Sequence, residues 1–230
     1  MNPIVELRDL HKHYHQGELE VKAVDDVSLT IEKGDFAALC GPSGSGKTSI
    51  LNLIGGLDSV TSGKVILEGT DLSALKNGEL AEIRKNRIGF VFQAYNLIPV
   101  MTAYENAAFV LDLQGVDPAV SRIQVMKTMA DVGLAGLEDR RPDQMSGGQQ
   151  QRVAIARAIV TQPAIVLADE PTANVDSKTA ESLLDLMETL NREQGVTFLF
   201  STHDQHVMDR AKRIIHILDG QVESDELKAV

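Results

Sequence analysis

Residues 41–48 (GPSGSGKT) restrict the possible folds of this chain more than any other segment. They fit the pattern G-x-x-x-x-G-K-[ST] and lie between an apolar run at 35–40 and a helical pattern at 48–54. This context predicts a strand, a loop whose backbone N–H groups surround a phosphate, and a helix. Lys47 would reach the β- and γ-oxygens, and the Thr48 hydroxyl would ligate Mg²⁺. We therefore predict a nucleotide-binding α/β domain.

The remaining chain alternates short apolar runs with helical patterns, which indicates a mostly parallel sheet covered by helices. Further helices are predicted at 103–114, 118–132 and 177–194. The region 94–161 contains helical patterns and no convincing strand, so we expect a helical subdomain inserted between sheet strands. The predicted strands are 35–40 (DFAALC), 64–68 (KVILE), 88–92 (IGFVF), 164–169 (AIVLAD), 197–202 (TFLFST) and 213–218 (RIIHIL).

Composition narrows the classes of partner. The formal net charge of −11 argues against nucleic acid or an anionic membrane surface as the main partner, because both select basic patches. The single cysteine, Cys40, cannot form an internal disulfide, and we expect a buried, inert thiol. No segment resembles a signal peptide, and no run approaches about 18 uninterrupted apolar residues. We therefore expect a cytoplasmic protein.

Polar side chains follow several of the predicted strands. Asp169 and Glu170 end an apolar strand, so Asp169 is expected in the Mg²⁺ shell and Glu170 as the general base that polarises the attacking water. His203 closes the strand in FSTHD, and Gln93 closes the strand in IGFVFQ. Because parallel strands end at one edge of a sheet, we expect His203 to contact the γ-phosphate. Gln93 is expected to hydrogen-bond the metal shell or the water.

A second glycine-rich segment, 145–158 (MSGGQQQRVAIARA), opens a predicted amphipathic helix. Backbone N–H groups without partners and the helix dipole make such a helix start an anion site. The chain already has a better phosphate loop at 41–48. The identity of the phosphate at this second loop does not follow from the segment itself.

These motifs, in the order phosphate loop, FVFQ, MSGGQQQR, IVLADEP, ANVD and STHD, resemble the ATP-binding subunit of ATP-binding cassette (ABC) transporters over nearly the whole chain. The resemblance implies a P-loop NTPase (RecA-like) core with a mostly parallel sheet, an N-terminal antiparallel β portion and the inserted helical subdomain. The implied organisation is a single ATPase domain, 1–222, made of the core (1–93 and 162–222) and the helical subdomain (94–161), followed by a short, solvated acidic tail, 223–230.

In the family, two cassettes dimerise head to tail, and the signature loop of one closes over the ATP held by the other. The resemblance therefore implies that Ser146, Gly147 and Gly148 contact ATP bound to a second copy, with Gln149 starting the helix that points at it. Asp176 is implied to signal between the two sites. Tyr14 is implied to stack on adenine. The expected ATP-binding residues are Tyr14, Gly41, Pro42, Ser43, Gly44, Ser45, Gly46, Lys47, Thr48 and Ser49.

The segments LNLIGGLD, IGFVFQAYNLIP and LADEPTANVD resemble the lipoprotein-release and macrolide-efflux group. This resemblance implies a Mg²⁺-dependent ATPase that dimerises with ATP and drives a membrane permease exporting or extracting a lipid, lipoprotein, peptide or drug. The chain would then lie on the inner face of the cell membrane. Two alternatives stay open: an ATPase that regulates a membrane partner without transport, and a soluble cassette ATPase of DNA repair or translation. The substrate, the direction and the permease stay open as well.

The segment 93–106 (QAYNLIPVMTAYEN) lies between the core and the helical region. It is a candidate groove for a cytoplasmic helix of the permease, with Tyr95, Leu97, Ile98 and Met101 as contacts. Simple packing of the helical region explains the same apolar residues equally well. This alternative also stays open.

Three histidines, His11, His13 and His15, alternate near the N-terminus. On a strand they would share one face, which can mimic a metal site. No cysteine or carboxylate cluster supports such a site in the sequence. We therefore expect no metal there.

Overall fold

The computed structural model describes residues 3–17 and 19–228. The strands are β1 (Val5–Gln16), β2 (Leu19–Ile31), β3 (Phe36–Cys40), β4 (Ser62–Leu67), β5 (Thr70–Asp71), β6 (Ile88–Val91), β7 (Ile165–Asp169), β8 (Phe198–Thr202), β9 (Arg213–Leu218) and β10 (Gln221–Leu227). The α-helices are α1 (Lys47–Ile54), α2 (Asn77–Arg87), α3 (Ala103–Gln114), α4 (Pro118–Asp131), α5 (Gly147–Ile159), α6 (Ser177–Gln194) and α7 (Gln205–Arg210).

The strands form two sheets. One has six strands in the order β10-β9-β3-β8-β7-β6. Its neighbours pair in parallel, except that β10 pairs antiparallel with β9. The other has four strands in the order β2-β1-β4-β5 and is antiparallel throughout. Helices α3, α4 and α5 follow one another between β6 and β7. The predicted α/β fold, with its antiparallel N-terminal portion and inserted helices, is confirmed.

The central strands are buried on both faces because each face of the large sheet packs against its own core. Along β3, Ala37 and Leu39 belong to the core that also contains Ile50 of α1. Their neighbours Phe36 and Cys40 belong to the core formed with the helices of the 94–161 region. Alternate residues of a strand point to opposite faces, so a strand covered on both faces reads as a continuous apolar run.

Capping residues set the ends of the best-predicted helices. Thr102 Oγ1 accepts from the backbone N–H of Glu105 at 3.1 Å, and Glu105 Oε2 accepts from the backbone N–H of Thr102 at 2.8 Å. This reciprocal cap starts α3. Gly115, with φ of 72°, ends it in the left-handed conformation that glycine adopts most readily. The predicted bounds of α3 and of α6 agree with the structure.

The structure corrects part of the expected tail at 223–230, of which residues 229 and 230 lie outside the described residues. Residues 223–227 belong to β10, which pairs with β9 along the edge of the large sheet. Arg213 on β9 donates from Nε and Nη2 to the two carboxylate oxygens of Asp225, at 2.8 and 2.6 Å. The acidic side chains lie on an exposed edge strand. Because the backbone pairing of this strand does not require apolar residues, the acidic sequence gives no strand signal.

The structure also corrects the expectation that no carboxylate accompanies the alternating histidines. Antiparallel pairing of β1 with β2 places His13 opposite Lys22 and Lys12 opposite Val24. This register brings Asp25 to His11 and Glu20 to His13. The two carboxylates are distant in sequence from their histidine partners, and only the strand register reveals them.

Among the described residues, no helix is both long enough and apolar enough to cross a membrane.

Candidate active site

Three parallel strands of the large sheet end at one edge. The strand register pairs Cys40, the last residue of β3, with Thr202, the last residue of β8. It also pairs Asp169, the last residue of β7, with Ser201. The segments that follow these strands border one cleft with a volume of about 550 Å³. Ligands of α/β sheets bind at such carboxyl ends of the strands.

Two glycines let the loop after β3 turn back on itself. Gly41 has φ of 151°, and a Cβ there would overlap the backbone oxygen of Ile217. Gly46 has φ of 104°, and a Cβ there would overlap the backbone oxygen of Ala23. Any other residue would be strained and would collide with backbone at both positions. The loop shape therefore depends on glycine at these two points.

The Lys47 ammonium group lies inside this loop. Lys47 is 7% exposed, and its Nζ donates to the backbone oxygens of Gly41 and Pro42 at 2.7 and 2.8 Å. A positive charge is thus held inside the loop, and loops of this kind bind phosphate through their backbone N–H groups. The contact of Lys47 with the β- and γ-phosphate oxygens stays a prediction.

A hydroxyl and a carboxylate meet next to the loop. Thr48 Oγ1 lies 3.2 and 3.4 Å from the two carboxylate oxygens of Asp169. Both groups are hard oxygen ligands of the kind that Mg²⁺ prefers, and Gln93 lines the same cleft. The residues present therefore fit a Mg²⁺ ion, which Thr48 and Asp169 would hold.

The Glu170 carboxylate is held by both of its oxygens. Oε1 lies 2.6 Å from His203 Nδ1, and Oε2 accepts from the Thr202 hydroxyl at 3.1 Å. Its backbone N–H donates to the oxygen of Ser201 at 2.9 Å, and its φ is 45°, in the left-handed region. Such a conformation in a non-glycine residue is strained and persists only where the surroundings enforce it. The carboxylate is therefore fixed at the edge of the cleft.

Most of the predicted residues line the cleft. They are Pro42, Ser43, Gly44, Ser45, Gly46, Lys47, Thr48, Ser49, Gln93, Asp169, Glu170 and His203. Of the described site residues, Gly41 shapes the loop without lining the cleft. Sequence reasoning missed Thr202, because a threonine inside a β-strand is typical of strands and carries no further signal. It also missed Val21, Lys22 and Ala23 of β2, which line the cleft from the antiparallel sheet.

Tyr14 lies at the margin of the cleft. It pairs in register with Val21, which lines the cleft, but Tyr14 is outside the set of described lining residues. Its hydroxyl donates to Asp58 Oδ2 at 2.7 Å, and Lys12 Nζ lies 4.8 Å from the ring centroid. Partial burial, followed by the hydrogen bond to Asp58, raises the pKa of Tyr14. Its stacking on adenine stays a prediction.

The second glycine-rich loop caps its own helix. Ser146 Oγ accepts from the backbone N–H of Gln149 at 3.3 Å, and Gln149 Oε1 accepts from the backbone N–H of Ser146 at 3.0 Å. A Cβ on Gly148 would overlap Thr179 Cγ2, and Asp176 caps α6 through that same Thr179. Of the described residues, those of 146–149 and Asp176 do not line the cleft. Their expected roles toward a second copy stay predictions.

An apolar groove lies elsewhere on the surface. Its volume is about 450 Å³, and its lining includes Leu57, Phe90, Phe92, Phe109 and Leu113. Within 93–106, all of which the structure describes, Asn96 alone lines this groove. Of the four expected contact residues, Tyr95 donates its hydroxyl hydrogen to the Asn174 oxygen and Leu97 packs on the core. The Ile98 N–H donates to the Asn106 side chain, and the Met101 N–H donates to the Ile98 oxygen. Their contact with a permease stays a prediction.

This geometry defines a P-loop nucleotide-binding protein. A family model described as "ABC transporter" matches residues 24–173, which contain the loop, the strand-end carboxylates and the second glycine-rich segment. The chain belongs to the ABC transporter family, and its fold is that of the family's ATP-binding cassette. The family's cassettes bind ATP.

Three similar proteins come from this family. The lipoprotein-releasing system ATP-binding protein LolD of Bordetella avium is 41% identical over 93% of this chain and 93% of its own length. The macrolide export ATP-binding/permease protein MacB of Hyphomonas neptunium is 44% identical over 97% of this chain, which spans 34% of MacB. One of the solved structures that the chain resembles is a dimer of the cassette MJ0796, from Methanocaldococcus jannaschii, in a post-hydrolysis state with ADP and Pi. It matches with a TM-score of 0.89 and 41% identity, over 98% of this chain and 100% of the other.

Proposed function

We propose that this chain is the Mg²⁺-dependent, ATP-hydrolysing subunit of a membrane transporter of the lipoprotein-release or macrolide-export type. The observation that carries the proposal is the Glu170 carboxylate, held between Thr202 and His203 at the edge of a cleft that contains Lys47. A fixed carboxylate beside a phosphate-binding loop suits abstraction of a proton from water.

Different residues of the chain would bind the phosphates and activate the attacking water. Lys47 and the loop N–H groups bind the phosphates and neutralise their charge, while Glu170 orients the attacking water and accepts its proton. His203, 71% exposed in its side chain, is free to turn from Glu170 toward the γ-phosphate. Thr48, Asp169 and Gln93 would hold Mg²⁺, which when bound supplies charge neutralisation at the β- and γ-phosphate oxygens.

A second copy of the chain completes each site in this proposal. The signature loop lies outside the cleft of its own chain, and the N-terminus of α5 is a suitable anion site. In a head-to-tail dimer, the partner's Ser146 and Gly148 would approach the γ-phosphate. Binding of ATP would then close the dimer, and loss of phosphate would open it. The dimeric state of the MJ0796 structure supports this arrangement.

The apolar groove around Phe90 and Leu113 is our proposed docking site for a cytoplasmic helix of the permease. Leu113 and Leu57 are 56% and 47% exposed there, which is unusual for apolar residues gathered in one concavity. An amphipathic helix binds such a groove through its apolar face. MacB, whose name joins ATP-binding and permease parts in one chain, supports a permease as the occupant. The chain would therefore lie on the cytoplasmic face of the membrane.

The Glu170→Gln variant tests the catalytic assignment. The amide keeps the shape of the side chain but cannot accept the proton, so we expect kcat for ATP to fall about 100- to 10,000-fold. Binding of ATP and the ATP-dependent dimer should persist, as measured by calorimetry and light scattering. The control is Glu193→Gln, a change of an exposed glutamate on α6 that should leave kcat unchanged. Hydrolysis by Glu170→Gln at the rate of the unaltered chain would refute the assignment.

The same variant identifies the partner. Tagged Glu170→Gln chain, held with ATP and Mg²⁺ in detergent-solubilised membranes, should recover a permease detectable by mass spectrometry. Recovery should fall when Leu113 in the groove is changed to Glu. Recovery of soluble repair or ribosomal proteins without any membrane protein would contradict the transporter proposal.

A further inference from the structure

Two histidines and an aspartate converge on the β1–β2 hairpin, and none of the three lines the nucleotide cleft. One ligand atom from each of His11, His13 and Asp25 lies within 4.8 Å of the others. The two imidazole rings meet edge to face, with centroids 5.9 Å apart. His13 and Tyr14 are neighbours on β1 and therefore point to opposite faces of the sheet. The cluster thus lies on the face opposite the expected adenine contact.

His13 has one ring nitrogen held by a carboxylate and one without a partner among the described residues. Its Nδ1 lies 3.0 Å from Glu20 Oε1, so the ring donates its Nδ1 proton to that carboxylate. The other nitrogen, Nε2, then carries a lone pair, and it is buried without a hydrogen-bond partner among the described residues. A carboxylate that fixes one nitrogen while the other stays available is the usual support of a metal-binding histidine. An unpartnered buried acceptor is costly, whereas a cation would satisfy it.

His11 and Asp25 supply the other donors. His11 Nδ1 lies 3.1 Å from Asp25 Oδ1. It also accepts from the backbone N–H of Asp26 at 3.2 Å, a hydrogen bond that a metal ion at Nδ1 would replace. Zn–N and Zn–O bonds of about 2.0–2.2 Å place two tetrahedral ligands roughly 3.3 Å apart, so the His11 and Asp25 atoms already have nearly the required separation. Rotation of the side chains would bring the ligand atoms that are farthest apart to the distance that one shared ion requires. Lys22 Nζ lies 3.5 Å from Asp25 Oδ2, which leaves Oδ1 to face the histidines.

We propose that His11, His13 and Asp25 bind one divalent transition-metal ion of the Zn²⁺ type. Two imidazoles and one carboxylate favour Zn²⁺, Ni²⁺ or Cu²⁺ over Mg²⁺ and Ca²⁺, which prefer oxygen ligands. The ion would join β1 to β2 on the face of the sheet opposite Tyr14. This site is separate from the proposed Mg²⁺ site at Thr48 and Asp169.

Zinc titration of the complete chain tests the proposal. The protein, free of any affinity tag, is stripped with EDTA and saturated with Mg²⁺ and ADP to occupy the nucleotide cleft. It is then titrated with ZnCl₂ against a chromogenic chelator. We expect one ion per chain and loss of that ion in His13→Ala and in Asp25→Asn. Glu20→Gln should weaken binding about 10- to 100-fold, as expected for a group that orients a ligand.

His15→Ala is the matched control, because His15 continues the same alternation but lies outside the described cluster. Its Zn²⁺ affinity should equal that of the unaltered chain. Asp25→Asn preserves side-chain shape, so the test survives if His13→Ala does not fold. Cobalt absorption in the visible range gives a second readout of nitrogen ligation. Absence of binding by the unaltered chain, or equal binding by Asp25→Asn, would overturn the proposal, as would an equal loss in His15→Ala.

Discussion

The two glycine-rich loops of this chain differ in the residues that surround them. The loop at 41–46 curls around its own Lys47 and shares a cleft with Thr48, Asp169 and Glu170. The loop at 146–149 caps its own helix and, in the part of the chain that the structure describes, faces no carboxylate or lysine of the cleft. The first loop lies among residues suited to a nucleotide site, and the second presents a helix N-terminus outside that cleft. This difference supports our proposal that the second loop acts on a nucleotide held by a second copy of the chain.

Lys47→Ala and Ser146→Ala should separate the two loops most clearly. Loss of Lys47 removes the charge inside the first loop, so we expect ATP binding to disappear in calorimetry. Ser146→Ala should leave binding by the separate chain unchanged, yet lower kcat about 100-fold by removing one donor to the phosphate. The lost cap costs α5 about 1 kcal/mol, which thermal unfolding measures. Lys64→Ala, an exposed lysine change, is the control.

Mixing the two variants sharpens the comparison. In a head-to-tail dimer, the intact cleft of Ser146→Ala would meet the intact signature loop of Lys47→Ala. The mixture should therefore hydrolyse ATP faster than either variant measured by itself. Equal loss of ATP binding in both variants would show instead that the two loops serve one chain.

Thr202→Val tests how strongly the cleft depends on the position of Glu170. The change removes the hydroxyl that donates to Glu170 Oε2 and accepts from the backbone N–H of Asp204 at 3.0 Å. We expect a destabilisation of about 1–3 kcal/mol and a fall of kcat by about 10-fold, smaller than for Glu170→Gln. KM for ATP should change little, because Thr202 is outside the described lining of the cleft.

Thr202→Ser is the matched control for this change. Serine keeps a hydroxyl at the position that donates to Glu170 Oε2, so kcat should stay near that of the unaltered chain. It loses only a buried methyl group, so thermal unfolding of both variants separates the packing effect from the positioning effect. An equal fall of kcat in Thr202→Ser and in Thr202→Val would contradict the role of Thr202 as a positioning residue.

The sequence predicts those elements whose burial follows a simple period. Strands β3, β7 and β8 are covered on both faces, so their apolar runs stand out. Helix α2 was missed because none of its residues is buried, and it has no apolar stripe to reveal it. Strand β10 was missed because its charged, exposed residues give no strand signal.

The residues of the two candidate sites also differ in whether the sequence predicts them. Motifs reveal Lys47, Asp169 and Glu170, because phosphate chemistry requires those residue types at those positions. The Thr202 contact to Glu170 and the Asp25 contact to His11 depend on strand register, which local patterns do not specify. Such contacts join residues that are ordinary in sequence, and only the fold gives them a role.

Labelling of Cys40 is expected to show the smallest effect. It tests whether the core next to the first loop excludes solvent, in contrast to the open cleft. The thiol ends β3 one residue before the loop and is buried. Burial raises its pKa to about 11, so at pH 8 roughly one molecule in a thousand carries the thiolate. We expect iodoacetamide to label Cys40 only slowly at pH 8, with or without ATP, and faster once urea unfolds the chain. Rapid labelling that ATP suppresses would mean that the cleft extends down to β3 and that the first loop opens without its ligand.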